Sequence, residues 1–560
     1  MKYILLFIVL LAGYVLHGQQ VKLAKPDKVQ YFWHEQERLM FIHFGMATWQ
    51  GVEYDKGNFD LKRINPVNLN TDDWCRVARS WGAKGIIFVA KHVGGFCWWP
   101  TTTTEYCVRK IPWKNGKGDL MADISASCRK AGLSLGVYCY PGDVQWGADI
   151  GSGGKTKDPE KQEAYNRVYR QQMTELLSNY GEIREVWFDG SCIIDVKDIL
   201  KKYAKNAVIF QGPQASLRWP GTESGKLYYP AWNTCKKSDL ATGISTQYND
   251  DPDGDAWAPL ESDLPLYSHN WFWSPKNEPK RKSLDELMDI YYKSVGYGGL
   301  MLMNSSPDTN GVIPAGDVKV YSELGKEINK RFSTPVQAVK NHKGNLVELK
   351  LSQPSEINHV VIMEDYRQGH RIRKYVVEGF DGREWKLLSE GSSVGRKKID
   401  AFATTRVTNV RLRITRNVNK PLIRSFEVFR VDNFQFNPTS LTSQGWKECG
   451  KWDTKTFIGG KGELSFDLSP YITRPGQYEV TFSFDVNITG MRINKAEIIF
   501  DNGTTLQEYL TRKEGTNTFY INRTSQVDTG SSSVLKVSMT SNNKVFQNKG
   551  TVYIRQRSEK

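Results

Sequence analysis

With 560 residues and a 39% hydrophobic share, the chain is too long for one core and is expected to form roughly three or four domains. The formal net charge of +15 is spread through all regions without a dense basic run or a nucleic-acid motif, which argues against nucleic acid and for a solvated basic surface. Aromatic residues make up 12%, with 17 Trp and 26 Tyr, and their flat apolar rings suit stacking on sugars, so carbohydrate becomes a candidate partner.

Met1-Lys2-Tyr3 and the apolar run from Ile4 to Leu16 have the layout of a secretory signal peptide. Residues 1–20 are therefore expected to be removed and the mature protein to be exported, whether periplasmic, secreted or held at a surface. No second long apolar segment follows, so no membrane span is expected in the mature chain. The 8 cysteines show no Cys-x-x-Cys pair and no metal-like spacing with the histidines; they read as mostly buried thiols, with no metal site.

From Arg38 onward, buried strands and amphipathic helices alternate. Arg38 to Gly45 reads as a strand ending near His43, Thr71 as the cap of a helix to Trp81, and Gly85 to His92 as the next strand. A helix over Met121 to Ala131, a strand from Leu135 to Tyr140, and a helix over Pro159 to Asn179 lead to the strand that ends in Trp187-Phe188-Asp189-Gly190. A helix from Val196 to Ala204, strands at Ala207 to Phe210, Tyr228 to Asn233 and Leu266 to Asn270, a helix over Leu284 to Val295 and a strand from Gly299 to Asn304 complete the series. About eight strands are counted, the number a (β/α)8 barrel requires; a doubly wound open sheet is the alternative.

The barrel is expected over residues 21–333. Past Phe332 the helices stop, and short alternating runs such as Val347 to Leu351, Tyr375 to Glu378 and Val410 to Ile414 point to an all-β sandwich over 334–431, discoidin-like or carbohydrate-binding-like. Runs such as Glu463 to Leu468 and Val534 to Met539 place a second sandwich over 432–560.

In such a barrel the chemistry sits at the C-terminal strand ends, where His43, His92, Tyr138, Asp189 and Asn304 would converge. An ionised Asp189 closing an apolar strand is costly unless paired or used, although beside Gly190 it also fits a β-turn. Glycoside hydrolysis needs a second carboxylate. Glu223, on the loop after the next strand, is the first choice; Glu261, in a loop with Trp271 downstream, is the second.

Phe41-Ile42-His43-Phe44-Gly45, Ala90-Lys91-His92, Gly95 to Pro100, Pro112 to Asp119, Trp187 to Gly190, Arg218 to Glu223, and Glu261-Ser262-Asp263 with Trp271-Phe272 together resemble the α-L-fucosidases of glycoside hydrolase family 29. The similarity is closest to the subgroup acting on α-1,3/4-linked fucose. It implies a retaining exo-hydrolase that needs no cofactor and acts on a fucosylated oligosaccharide or glycoconjugate. Asp189 matches the nucleophile and Glu223 the acid/base, with Glu261 second; Phe41, His43, Glu53, Tyr54, His92, Tyr138, Trp187 and Trp271 match positions that line the sugar site. Where the family reads His-His-Asp-Gly-Phe, this chain has His92-Val93-Gly94-Gly95-Phe96, Tyr54 replaces a Trp, and Pro220 and Thr222 depart from the acid/base motif. Val93 and Gly94 are expected to open room that would also suit a related terminal sugar such as α-L-galactose; a carbohydrate-binding protein without catalysis is the remaining alternative.

Overall fold

The computed structural model describes residues 21–268, 270–434, 446–454, 457–473, 476–484, 491–500, 505–508, 518–523, 532–541 and 549–556. The expected signal peptide lies outside them. Among the described residues no helix is long and apolar enough to cross a membrane, and all 8 cysteines are free thiols.

Strands β1 (Arg38–Ile42), β2 (Gly85–Lys91), β3 (Ser134–Cys139), β4 (Ile183–Trp187) and β5 (Val208–Phe210) form one parallel sheet with β8 (Glu261–Leu264) and β9 (Leu300–Ser305), after a separate two-stranded pair, β6 (Thr234–Cys235) and β7 (Ala256–Trp257). The order β5-β4-β3-β2-β1-β9-β8 makes a seven-stranded, barrel-like sheet. Helices α1 (Lys28–Glu35) and α2 (Met46–Gln50) flank β1, and α3 (Thr71–Ser80), α4 (Leu120–Ala131), α5 (Pro159–Asn179) and α6 (Lys197–Tyr203) link the next strands. After them come α7 (Lys237–Leu240), α8 (Leu284–Lys293) and α9 (Ala315–Phe332). The caps explain several boundaries: Asp119 accepts from the Ala122 N–H, Asp158 precedes Pro159 at the first turn, and Ser283 forms a capping box with Glu286. Asn70, not Thr71, caps α3.

Two of the expected strands are absent among the described residues. Pro230 interrupts the run from Tyr228 to Asn233 and cannot donate to a ladder. Leu266 to Asn270 contains a turn closed by the Asn270 N–H on the Tyr267 carbonyl at 3.0 Å, and the strand lies just upstream, at Glu261.

The gap between β5 and β8 is bridged by the segment 216–219. The Leu217 N–H donates to the Ile209 carbonyl at 3.3 Å, the Arg218 N–H to the Pro259 carbonyl at 2.9 Å, and the Glu261 N–H to the Arg218 carbonyl at 3.0 Å. Arg218 is fully buried. Its guanidinium donates to the carbonyls of Ala258, Thr246, Trp232 and Thr234 and pairs with Asp250 at 2.9 Å. The Thr246 and Thr234 carbonyls also accept from the Asn249 and Asp251 N–H groups, each at 3.0 Å, so Arg218 adds donors to an irregular stretch that is only partly paired by its own backbone.

Beyond α9, strands β10 (Gln337–Lys343), β11 (Leu346–Glu364), β12 (Ile372–Phe380), β13 (Trp385–Gly391), β14 (Lys398–Asn417) and β15 (Leu422–Phe429) make one six-stranded antiparallel sheet. The pairing of the long β11 and β14 shifts register between Lys350 and Ser355, and both halves of β11 feed one core, Leu349 from the first and Ile362 from the second, together with Phe426 of β15. This sheet docks on the N-terminal end of the barrel: Arg396 and Lys397 pair with Glu37, which precedes β1, at 2.8 and 2.5 Å. Burial raises the Glu37 carboxyl, but these cations outweigh it and hold it well below the usual range. Further on, β16 (Lys447–Asp453), β18 (Gly476–Phe484), β21 (Thr518–Arg523) and β23 (Lys549–Gln556) form one four-stranded sheet. β17 (Lys461–Asp467), β19 (Met491–Phe500), β20 (Thr505–Glu508) and β22 (Ser533–Ser541) form another, and side chains of both share a core around Trp452, Val480, Ile498 and Leu535.

Replacing Arg218 by Met, which carries neither donor nor charge, removes the cation paired with Asp250 and the side-chain donors to four carbonyls. The expected loss, read from denaturant midpoints, is about 3 to 5 kcal/mol, the range for a broken buried ion pair.

Candidate active site

The C-terminal ends of the barrel strands open onto a cavity of about 230 Å³. Strand β1 and the residues after it supply Phe41, His43, Glu53 and Tyr54; the ends of β2 and β3 supply His92 and Tyr138. Trp187 and Asp189 come from the end of β4, Trp219 and Glu223 from the segment after β5, Asp263 from β8, and Trp271 from the loop beyond it. A groove of about 440 Å³ elsewhere, between α4 and α5, has its carboxylates Asp119 and Glu175 already engaged by Tyr180 and Trp99.

Asp189 is held by the Tyr138 hydroxyl, which donates to Oδ2 at 3.0 Å. Burial pushes its carboxyl up to about 6, with the Glu223 charge adding to burial and the Tyr138 bond opposing it. Trp271 gathers the opposite wall. Its indole N–H donates to Glu223 at 3.2 Å, its backbone N–H to Glu53 at 2.8 Å, and its carbonyl accepts from Asn304 at 2.7 Å. Burial raises Glu53 to about 7. Glu223 itself stands exposed at the rim.

The histidines are neutral. Burial lowers His92 to about 4 and takes His43 well below its ordinary value. Asn304 spends its amide N–H groups on the Trp271 carbonyl and Ser306, so its Oδ1 accepts from His43 Nδ1 at 2.8 Å. That assignment leaves His43 Nε2 as an acceptor. The rings pack closely: Trp187 stacks on Phe210 with centroids 3.7 Å apart, and Phe41 meets Trp187 edge-on at 5.0 Å.

Glu261 is not where a loop would put it. It is the first residue of β8, fully buried in the barrel interior, accepts from the Trp187 indole N–H at 2.8 Å, and does not line the cavity. Two residues on, Asp263 does, and Trp219 donates to it at 2.6 Å. Burial and the Glu223 charge hold Asp263 well above the carboxylate range. The period-2 alternation of Glu261, Ser262 and Asp263 carries the signal for this missed residue, since it sends both acids to one face of a strand.

Val93 and Gly94 do not enlarge the cavity. Val93 is buried in the interior cluster, and the space beside Gly94 is filled by the Asp55 carboxylate: a Cβ on Gly94 would meet Asp55 Oδ2 at 2.1 Å. Asp55 accepts from Gln50 at 2.7 Å, from Tyr106 at 2.9 Å and from the Gly57 N–H at 3.1 Å. The acid expected at position 94 is therefore replaced by one reaching in from the loop that carries Glu53 and Tyr54.

Comparison with known proteins gives a consistent set of relatives. The α-L-fucosidase family profile matches residues 18–331. α-L-Fucosidase 1 of Arabidopsis thaliana is 29% identical over 469 residues, covering 75% of this chain and 90% of that protein. A crystal structure from Bacteroides thetaiotaomicron VPI-5482, provisionally named an α-L-fucosidase, superposes with a TM-score of 0.68 at 32% identity over 73% of this chain and 100% of its own. A glycoside hydrolase 29 family member from an unknown rumen bacterium, 25% identical, covers 96% of this chain and 100% of its own with a TM-score of 0.66.

The exchange of Asp55 for a residue-94 acid is open to a double-mutant cycle. Gly94→Asp alone is expected to lower the melting temperature, costing about 1 to 3 kcal/mol through overpacking and like-charge contact. Gly94→Asp combined with Asp55→Gly is expected to recover most of that loss; no recovery in calorimetry would refute the exchange.

Proposed function

This chain belongs to the α-L-fucosidase family, glycoside hydrolase family 29, and from that membership we propose that it releases terminal α-L-fucose with retention, Asp189 being the nucleophile and Glu223 the acid/base. The observation that carries the assignment is the placement of the two carboxyls. Asp189 closes β4, Glu223 follows the next strand, both face one small cavity, and the Glu223 charge acts on Asp189. Each is also held by an aromatic donor, Tyr138 or Trp271.

In the first step the Glu223 carboxyl gives its proton to the glycosidic oxygen as that bond breaks, while the Asp189 carboxylate attacks the anomeric carbon from the opposite face. The aglycone leaves with the proton, and the sugar remains as an ester of Asp189. In the second step Glu223, now a carboxylate, takes a proton from water; the water oxygen bonds to the anomeric carbon and Asp189 departs as carboxylate. His43 Nε2, His92 and Glu53 are suited to hold sugar hydroxyls, and Phe41 with Trp187 forms an apolar wall for the C6 methyl. The resemblance of the ordered motif set as a whole to the subgroup acting on α-1,3/4-linked fucose supports such fucose on branched glycans as the substrate. The leader-like residues 1–20 support an exported enzyme.

Asp189→Asn is expected to lower kcat on an aryl α-L-fucoside on the order of 10³-fold. Glu223→Gln should lose about 10² to 10⁴-fold on substrates with poor leaving groups, whereas on an activated aryl α-L-fucoside, where breakdown of the glycosyl-enzyme limits, azide should restore turnover and give the α-fucosyl azide. A β-azide from the Glu223 variant would refute its role. Since Asp189 must be ionised to attack and burial raises it to about 6, kcat/KM of the wild type should fall as pH drops through that value.

A further inference from the structure

Beneath the cavity two carboxyl groups meet where a barrel core is ordinarily apolar. Glu185, in the middle of β4, and Glu261, at the start of β8, are fully buried and close enough across the barrel interior to act on each other's charge. Glu185 Oε2 accepts from the Trp33 indole of α1 at 2.6 Å, and Glu261 Oε1 accepts from the Trp187 indole at 2.8 Å. The remaining oxygens, Glu185 Oε1 and Glu261 Oε2, are buried with no donor from any other residue. The groups that act on the pair are each other and these two indoles, together with Asp263 two residues further along β8; no cation is among them.

Two carboxylates cannot both stay ionised at such a contact, so one proton must lie between them. Indole donors satisfy one oxygen on each side, and a proton on Glu261 Oε2 supplies the bond to Glu185 that completes the chain. The result is a continuous path from Trp33 through Glu185 and Glu261 to Trp187, the ring stacked on Phe210 at the floor of the sugar site and two residues before Asp189.

We propose that Glu261 is a positioning residue: as a neutral acid donating to Glu185 and accepting from Trp187, it fixes the indole against which the terminal sugar of the proposed fucosidase reaction rests. It touches neither substrate nor nucleophile. Burial raises Glu261 well above the carboxylate range and Glu185 to about 7, which agrees with one retained proton at neutral pH. Raised folded values mean that the pair's stability is fully present below the unfolded carboxyl value of about 4.3 and is lost as pH rises through the folded values.

The test pairs Glu261→Gln with Glu261→Leu in the full-length enzyme. The amide keeps both bonds without a titrating proton, so Glu261→Gln should hold kcat/KM within about threefold of wild type, and its melting temperature should fall less steeply than wild type between about pH 5 and about pH 8. Leu keeps neither bond. With a native circular dichroism spectrum, it should lose about tenfold or more in kcat/KM and bind free fucose more weakly. Full activity in a folded Glu261→Leu overturns the proposal, as does a loss in Glu261→Gln comparable to that in Leu, or an unchanged pH slope. Should Glu261→Leu not fold, the Gln variant and its slope still decide. Failure of the catalytic assignment reads out separately, as an active Asp189→Asn.

Discussion

Where an eighth strand would close the sheet, the protein relies on the Arg218 guanidinium. Every one of its five N–H groups can be spent on the four carbonyls and the Asp250 carboxylate that surround it, so an irregular stretch of chain is as well satisfied as a ladder would make it. The site depends on that closure. Trp219 and Glu223 follow Arg218 closely in the chain, and the Glu261 N–H donates to the Arg218 carbonyl, which fixes the start of the strand that presents Asp263. Burial lifts Asp250 to about 6 in spite of its cation, a measure of how far water is excluded there.

Acidity is distributed through the barrel in layers. Glu223 stands at the rim, Asp189 and Asp263 lie at the depth of the cavity, and Glu261 and Glu185 sit below it. None of the forces acting on Asp189, Asp263, Glu261 or Glu185 comes from a lysine or arginine. Aromatic N–H and O–H donors take that place, so position in the barrel and proximity to other acids set which carboxyl keeps a proton.

Much of this is readable in the chain. A strand buried on both faces is written as a continuous apolar run, and the polar residue that ends it marks the mouth of the barrel; His43, His92, Tyr138 and Asp189 are legible for that reason. Where a strand points polar side chains inward, the rule fails. Glu261-Ser262-Asp263-Leu264 does not look like a strand, so its pattern suggests a loop at Glu261 and gives Asp263 no role. Tyr228 to Asn233 misleads in the opposite sense, being largely apolar without forming a strand. Arg218 is visible as a residue, but its work depends on carbonyls 14 to 40 positions away, which no local pattern encodes. The Asp55 carboxylate beside Gly94 is hidden in the same way, since the two lie on different loops.

The cavity is blind-ended. Trp187, Phe210, Phe41 and Tyr138 seal its floor, α1 lies across the far end of the barrel with Trp33 in the same apolar cluster, and the β10–β15 sheet covers that end from outside. A pocket of about 230 Å³, smaller than the usual drug-sized site, holds little beyond one sugar ring. For the double displacement proposed above, one doorway gives traffic a compulsory order: the aglycone must clear the entrance before water can enter, and the freed monosaccharide must leave before another chain end arrives. On that proposal free sugar and substrate contend for the same vacancy, which makes inhibition by the product competitive and confines release to the tips of a glycan.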